Sequence, residues 1–138
     1  MRLDHELQRA ALLGVAGGLR TFMPPAALVV RQGRPSGRAG TALVVAAAGE
    51  LIGDKLPQMP SRTDSRGLAA RFTSSGACGF ALAGPRGAGV AGASAMAGAF
   101  AGFHARRWLG RRTGWPDPAC AVVEDGVAVG LAALGTRR

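Results

Sequence analysis

The 138-residue chain has no tyrosine, one lysine (Lys55) and only 5% aromatic residues. Its two cysteines, Cys78 and Cys120, form no CxxC pair and both fall inside apolar stretches. They are therefore expected as small buried residues with reduced thiols, not as a disulfide or redox motif. His5 and His104 are isolated, one before the apolar segments and one at the very end of the fourth, which leaves no metal-ligand spacing and no expected metal. No nucleophile–base pair can be assembled from the motifs, and no cofactor is expected. The N-terminus MRLDHELQRAALLG puts acidic residues before its apolar part and has no evident cleavage site, so a removed signal peptide is not expected.

Against these scarcities stand 22 glycines, 48% apolar residues and a net charge of +9. Such a charge suggests either nucleic acid or an anionic membrane surface as partner. The preference for Arg over Lys, with abundant Ala and Gly, is what a G+C-rich genome produces and is not taken as a sign of phosphate binding. Placement decides between the partners. Arginines crowd into short polar intervals: Arg31, Arg34 and Arg38; Arg62 and Arg66; Arg106, Arg107, Arg111 and Arg112; Arg137 and Arg138. Between them lie apolar stretches of roughly 15 to 21 residues, the layout of a polytopic membrane protein with basic loops. Nucleic acid would need an exposed basic face on a soluble fold, and the flanking apolar runs argue against it.

Five apolar segments are expected to be helical: about 10–30, 39–56, 67–84, 87–104 and 118–135. The fold class is therefore all-α, a polytopic membrane helix bundle forming a single domain over 1–138, its first segment broken at Pro24–Pro25. Asp117 as N-cap and Pro118 at the first helical position should open segment five. Asp64 or Ser65 should cap segment three. GPRG between segments three and four predicts a tight turn and an antiparallel hairpin, and KLPQMPSRT an extended loop. If all five segments cross, one side carries nine basic residues and the other six; if segment one is re-entrant, the sums are eight and seven. The positive-inside rule then places the N-terminus of a multi-pass protein in the cytoplasm of a bacterial inner membrane. Two rows of small residues, Ser75–Gly79–Ala83 and Ser94–Gly98–Gly102, predict close packing of segments three and four, with a dimer face as a further use.

The informative residues are the polar ones inside apolar segments. In VAGGLRTFMPPAALVV, Pro24 and Pro25 lack the N–H groups that the carbonyls of Arg20 and Thr21 would receive in a helix. Two half-helices with a break near Phe22–Pro24 follow, and breaks of this kind often line substrate or ion sites. In AAAGELIGDKLP, Ala42, Ala46, Glu50 and Asp54 share one helical stripe, with two carboxylates a turn apart. In AVVEDGVAVG, Glu124 and Asp125 fall seven and eight residues into segment five and require partners, for which Arg20 and Arg71 are the candidates. The inferred cluster holds four acids against two or three bases (Arg20, Arg71 and, as the third, Lys55), which favours a cation or proton. Thr21 joins the site as a polar residue at the break. FHARRWLGRRTGW sets Arg106, Arg107, Arg111 and Arg112 among aromatics, as expected beside anionic lipid head groups.

GLRTFMPPAAL, GELIGDKLPQMPSRT and EDGVAVG together resemble a family of small bacterial integral membrane proteins known as a domain of unknown function. The resemblance runs from about Leu13 to Leu134, and the middle motif is its most specific part. It implies several membrane helices and no established activity. The positions it carries over are Arg20, Thr21, Pro24, Pro25, Glu50, Gly53, Asp54, Lys55, Pro57, Pro60, Ser61, Arg62, Glu124 and Asp125.

Three functions are open at this point. The first is transport or conduction of a small solute or ion through Arg20, Thr21, Glu50, Asp54, Arg71, Glu124 and Asp125, with a homo-oligomer expected because so short a chain encloses a pathway poorly. The second is a structural or accessory membrane protein whose buried charges only pair. The third is a lipid head-group enzyme using the loop that contains Lys55, Ser61 and Arg62.

Overall fold

A computed structural model describes residues 2–33, 37–53 and 64–137. Five helices occupy nearly all of them: α1 (Arg2–Leu19), α2 (Met23–Arg31), α3 (Arg38–Gly53), α4 (Ser65–Thr113) and α5 (Asp117–Thr136), with no strand among the described residues. The all-α expectation holds. Segment one is α1 plus α2, segment two is α3, and segment five is α5. Segments three and four are two arms of α4, which leaves helical geometry at Ala83 (φ −142°) and Gly84 (φ 60°, ψ −149°). The Gly84 conformation is nearly closed to any residue with a side chain, so this glycine is what permits the reversal.

Two boundaries shift from expectation, for identifiable reasons. The break in segment one falls at Arg20–Phe22, ahead of the prolines. Pro24 and Pro25 then sit in the first turn of α2, where a missing N–H costs nothing. Helix α2 does not continue α1, and the Pro24 ring lies beside Gly17 across the bend. Helix α5 begins one residue early, with Pro116 at its N-cap, since the Asp117 carboxylate is engaged by Arg106 and does not cap. At the start of α4, Asp64 is the N-cap residue, but its side chain makes no cap hydrogen bond.

Helix α1 is central. The Gly14 and Gly18 positions press against backbone of the second arm at Ala91 and Ala95, while Gly17 faces Ser75 of the first arm. On the α5 side, Arg9 Nε donates to the Gly135 carbonyl at 3.1 Å. Between the arms, Gly79 meets Gly87 and Gly92 receives the Phe72 ring, an antiparallel pairing. The two expected small rows thus have different uses. Gly79 serves the hairpin, whereas Ser94 and Gly98 receive α1, at Gly14 and Val15. Buried in this way, the rows are not a dimer face. Beyond Gly102 the second arm lies beside α5, and Gly114 (φ 68°) closes α4 before the turn into α5.

The interior is built from small and charged residues. The largest side chains with essentially no exposure are Arg20, Leu13, Pro24 and Ser75. The bulky apolar groups point outward, among them Val45 (63% exposed), Ile52 (69%), Phe80 (58%) and Val122 (57%). Among the described residues, α5 alone is long and apolar enough to cross a bilayer, at 20 residues or about 30 Å. Helix α3 has 16 residues, and the arms of α4 are largely glycine, alanine and serine. Length and composition therefore establish one candidate span, not five.

Close backbone contact makes a specific prediction. A Cβ at Gly79 would overlap the Gly87 carbonyl, whereas one at Gly89 would meet nothing within 4 Å. Gly79→Ala should cost about 1–3 kcal/mol by forcing the arms apart. Gly89→Ala should be neutral or stabilising, by up to about 1 kcal/mol of helix propensity. Unfolding of both variants in a mild detergent gives the comparison.

Candidate functional site

The break between α1 and α2 strips the chain of its own helical hydrogen bonds over a few residues, and side chains from elsewhere replace them. The Gly18 carbonyl accepts from Arg71 Nη1. The Leu19 carbonyl accepts from Arg20 Nη1 at 3.1 Å, and the Arg20 carbonyl from the Met23 amide at 3.2 Å. Ser74 Oγ donates to the Thr21 carbonyl at 2.9 Å, and the Ala26 amide to the Phe22 carbonyl at 3.1 Å. On the donor side, the Thr21 amide reaches Glu50 Oε1 at 2.7 Å and the Phe22 amide reaches Oε2 at 2.9 Å. Every carbonyl from Gly18 to Phe22 and every amide from Arg20 to Met23 is thereby bonded.

Glu50 has a clear physical reason to be there. The first amides of a helix point outward unsatisfied and carry the positive end of its dipole. Since Pro24 and Pro25 offer no N–H, Thr21 and Phe22 are the donors that remain, and one carboxylate spans both. The stripe Ala42–Ala46–Glu50 is not a packing face, however: Ala42 is exposed, and the buried residues of α3 are Gly40 and Ala47. Asp54 lies outside the described residues, as do Lys55, Ser61 and Arg62.

Arg20 is 1% exposed and pairs with Asp125 of α5, which both Nε (2.7 Å) and Nη2 reach through Oδ1. Arg71 is buried at 6%, its charge offset by Glu50 and Glu124 and opposed by Arg20. Two buried polar atoms near the break, Arg71 Nε and Ser75 Oγ, have no hydrogen-bond partner among the described residues. The acidic pair on α5 therefore divides. Asp125 joins the break, whereas Glu124 turns toward the second arm of α4. There its Oε2 lies 3.6 Å from Arg106 Nη1, and its Oε1 abuts the Gly102 position.

Arg106 has a structural position that the sequence conceals. Expected only near lipid head groups, it is 13% exposed and bridges Asp117 to Glu124, with Nε 2.7 Å from Asp117 Oδ1. The available signal was that Arg106 opens the basic cluster closest to the apolar stretch. Glu124 and Arg106 also contribute to the wall of an apolar groove between the second arm and α5. Among the described residues, no group of three or more metal-binding side chains gathers.

No protein-family model matches this chain, and neither a curated protein nor a solved structure matches it. The site must be interpreted from its own geometry. That geometry engages Glu50, Asp125, Arg71 and Ser74 with the backbone and with Arg20, so each carbonyl of the break already accepts one hydrogen bond. Glu124 lines the apolar groove between the second arm of α4 and α5.

Three outcomes follow. Breaking the buried pair through Arg20→Ala should cost about 3–5 kcal/mol. Its reversal, Arg20→Asp with Asp125→Arg, should recover more stability than Arg20→Glu with Glu124→Arg, as unfolding in detergent would show. Glu50→Gln keeps one acceptor oxygen for two amides and should cost about 1–3 kcal/mol in the same assay.

Proposed function

We propose that this is a small multi-pass helical protein of the bacterial inner membrane, whose buried charges hold a broken helix in place. The observation that carries this reading is the distribution of side chains: Arg20 inside, Val45, Ile52, Phe80 and Val122 outside. In water that arrangement is costly twice over, since the outward bulky apolar groups stay hydrated and the small-residue core buries little. In lipid both costs vanish, because outward-facing apolar groups meet acyl chains while close packing and hydrogen bonds hold the helices together. The resemblance to a bacterial membrane family points the same way.

Transport is a second reading, favoured by one observation: Glu124 sits on the wall of an open groove and not in the clamp at the break. The head-group enzyme reading rests on Lys55, Ser61 and Arg62, which lie outside the described residues, and gains no support.

The membrane reading predicts that the chain stays in the membrane pellet after alkaline extraction and loses monodispersity when detergent is removed. A chain that remained in the supernatant without detergent would refute it. Reconstituted into vesicles, wild type and Glu124→Gln should show equal proton and solute leak if the charges serve the fold alone. A wild-type flux at least about tenfold above Glu124→Gln, a change of about 1.4 kcal/mol in barrier, would instead establish transport.

A further inference from the structure

The groove between the second arm of α4 and α5 has a volume of about 270 Å³. The end of α1 floors it through Val15 and Leu19, and Ala105, Val123, Val127 and Leu131 form the sides. Its charged lining is confined to Arg106 and Glu124. At the Arg106 end a second hollow, of about 300 Å³, shares Arg106 and Cys120 with the groove and is bordered by Arg107, Arg111, Trp115 and Asp117. An apolar slot thus adjoins, across Arg106 and Cys120, a cup with three arginines and one carboxylate.

We propose that the groove and the cup together form a binding site for one anionic phospholipid, with an acyl chain in the slot and the phosphate among the arginines. Three features specify this occupant. The slot runs from Cys120 to Leu131, about 16 Å along the helix at 1.5 Å per residue, which matches one leaflet of a hydrocarbon core about 30 Å thick. The cup is net basic even after Asp117 engages Arg106, so it selects an anion over a zwitterion. Arg107 lies 5.5 Å from the Phe103 ring centroid, and Trp115 is half exposed at the rim, the placement of an interfacial anchor. Arg106 stands at the junction, where its link to Glu124 and Asp117 fixes the two helices that form the walls.

The site rests on the membrane reading, and the test separates the two. Wild-type protein in a neutral detergent is melted with added phosphatidylglycerol, phosphatidylcholine or inorganic phosphate. Phosphatidylglycerol should raise Tm by about 5 °C, and the other two by no more than about 1 °C. Arg107→Gln with Arg111→Gln, and separately Val127→Trp to fill the slot, should each weaken the response at least about tenfold without lowering the lipid-free Tm. Equal stabilisation by phosphatidylcholine, or by phosphate alone, overturns the site, and so does an undiminished response in both variants. The lipid comparison on wild type needs no variant and decides by itself. A chain that requires detergent yet ignores phosphatidylglycerol defeats this site alone, whereas a chain monodisperse without detergent defeats the membrane reading beneath it.

Discussion

The fold depends on how the backbone at Arg20–Phe22 is satisfied. A helix interrupted inside a protein leaves carbonyls and amides that cost several kcal/mol each if they face only hydrocarbon. Here Arg71 and Ser74 of α4 and Glu50 of α3 bond those groups, while Asp125 of α5 holds Arg20 in place. Three helices that share no chain proximity with the break are tied to it. The charges are thus substitutes for missing helical hydrogen bonds. Each one has its desolvation offset by a backbone dipole or an opposite charge, which is the condition under which buried ions persist.

The same need explains the scarcity of bulk in the interior. For four side chains to reach one short turn, α1 must be approached from several sides, and only small residues at Gly14, Gly17, Gly18, Ser75 and Gly98 allow backbones that close. Bulky residues are then left for the outer surface. Hydrophobic burial contributes little to such a core, and dispersion between close-packed backbones contributes more. A medium that does not compete for hydrogen bonds strengthens each polar contact in the interior, so the proposed lipid setting would reinforce the charged interior.

Much of this was legible in the chain. Pro24 and Pro25 announced a break, Gly84–Pro85 a reversal, and Glu124–Asp125 a demand for arginine, because each violates a local rule that only tertiary structure can repair. What could not be read was which partner satisfies which group. Arg20 could have faced Glu124 as easily as Asp125, since neighbours on a helix point about 100° apart and sequence does not fix the rotation. Glu50 was singled out as half of a carboxylate pair with Asp54, which lies outside the described residues; Glu50 itself spans the amides of Thr21 and Phe22, just ahead of α2. That role follows from the prolines only once α3 is known to end beside them. Arg106 was grouped with the head-group arginines because it stands in a run of them, and composition could not show that it also reaches Asp117 and Glu124.

The division of labour between Asp125 and Glu124 bears on what such a protein can do. A carrier must let its polar groups exchange partners between states, at a cost comparable to thermal energy over its cycle. Groups that satisfy the broken backbone are poorly suited to this, since releasing Glu50 or Arg71 orphans main-chain atoms along with the side chain. Glu124 and Arg106 carry no such obligation to the break, and both border open space. Any exchange with a ligand is therefore cheapest on the α4–α5 side of the molecule, away from the break. The clamp at Arg20–Phe22 then serves as the fixed wall against which that side is held.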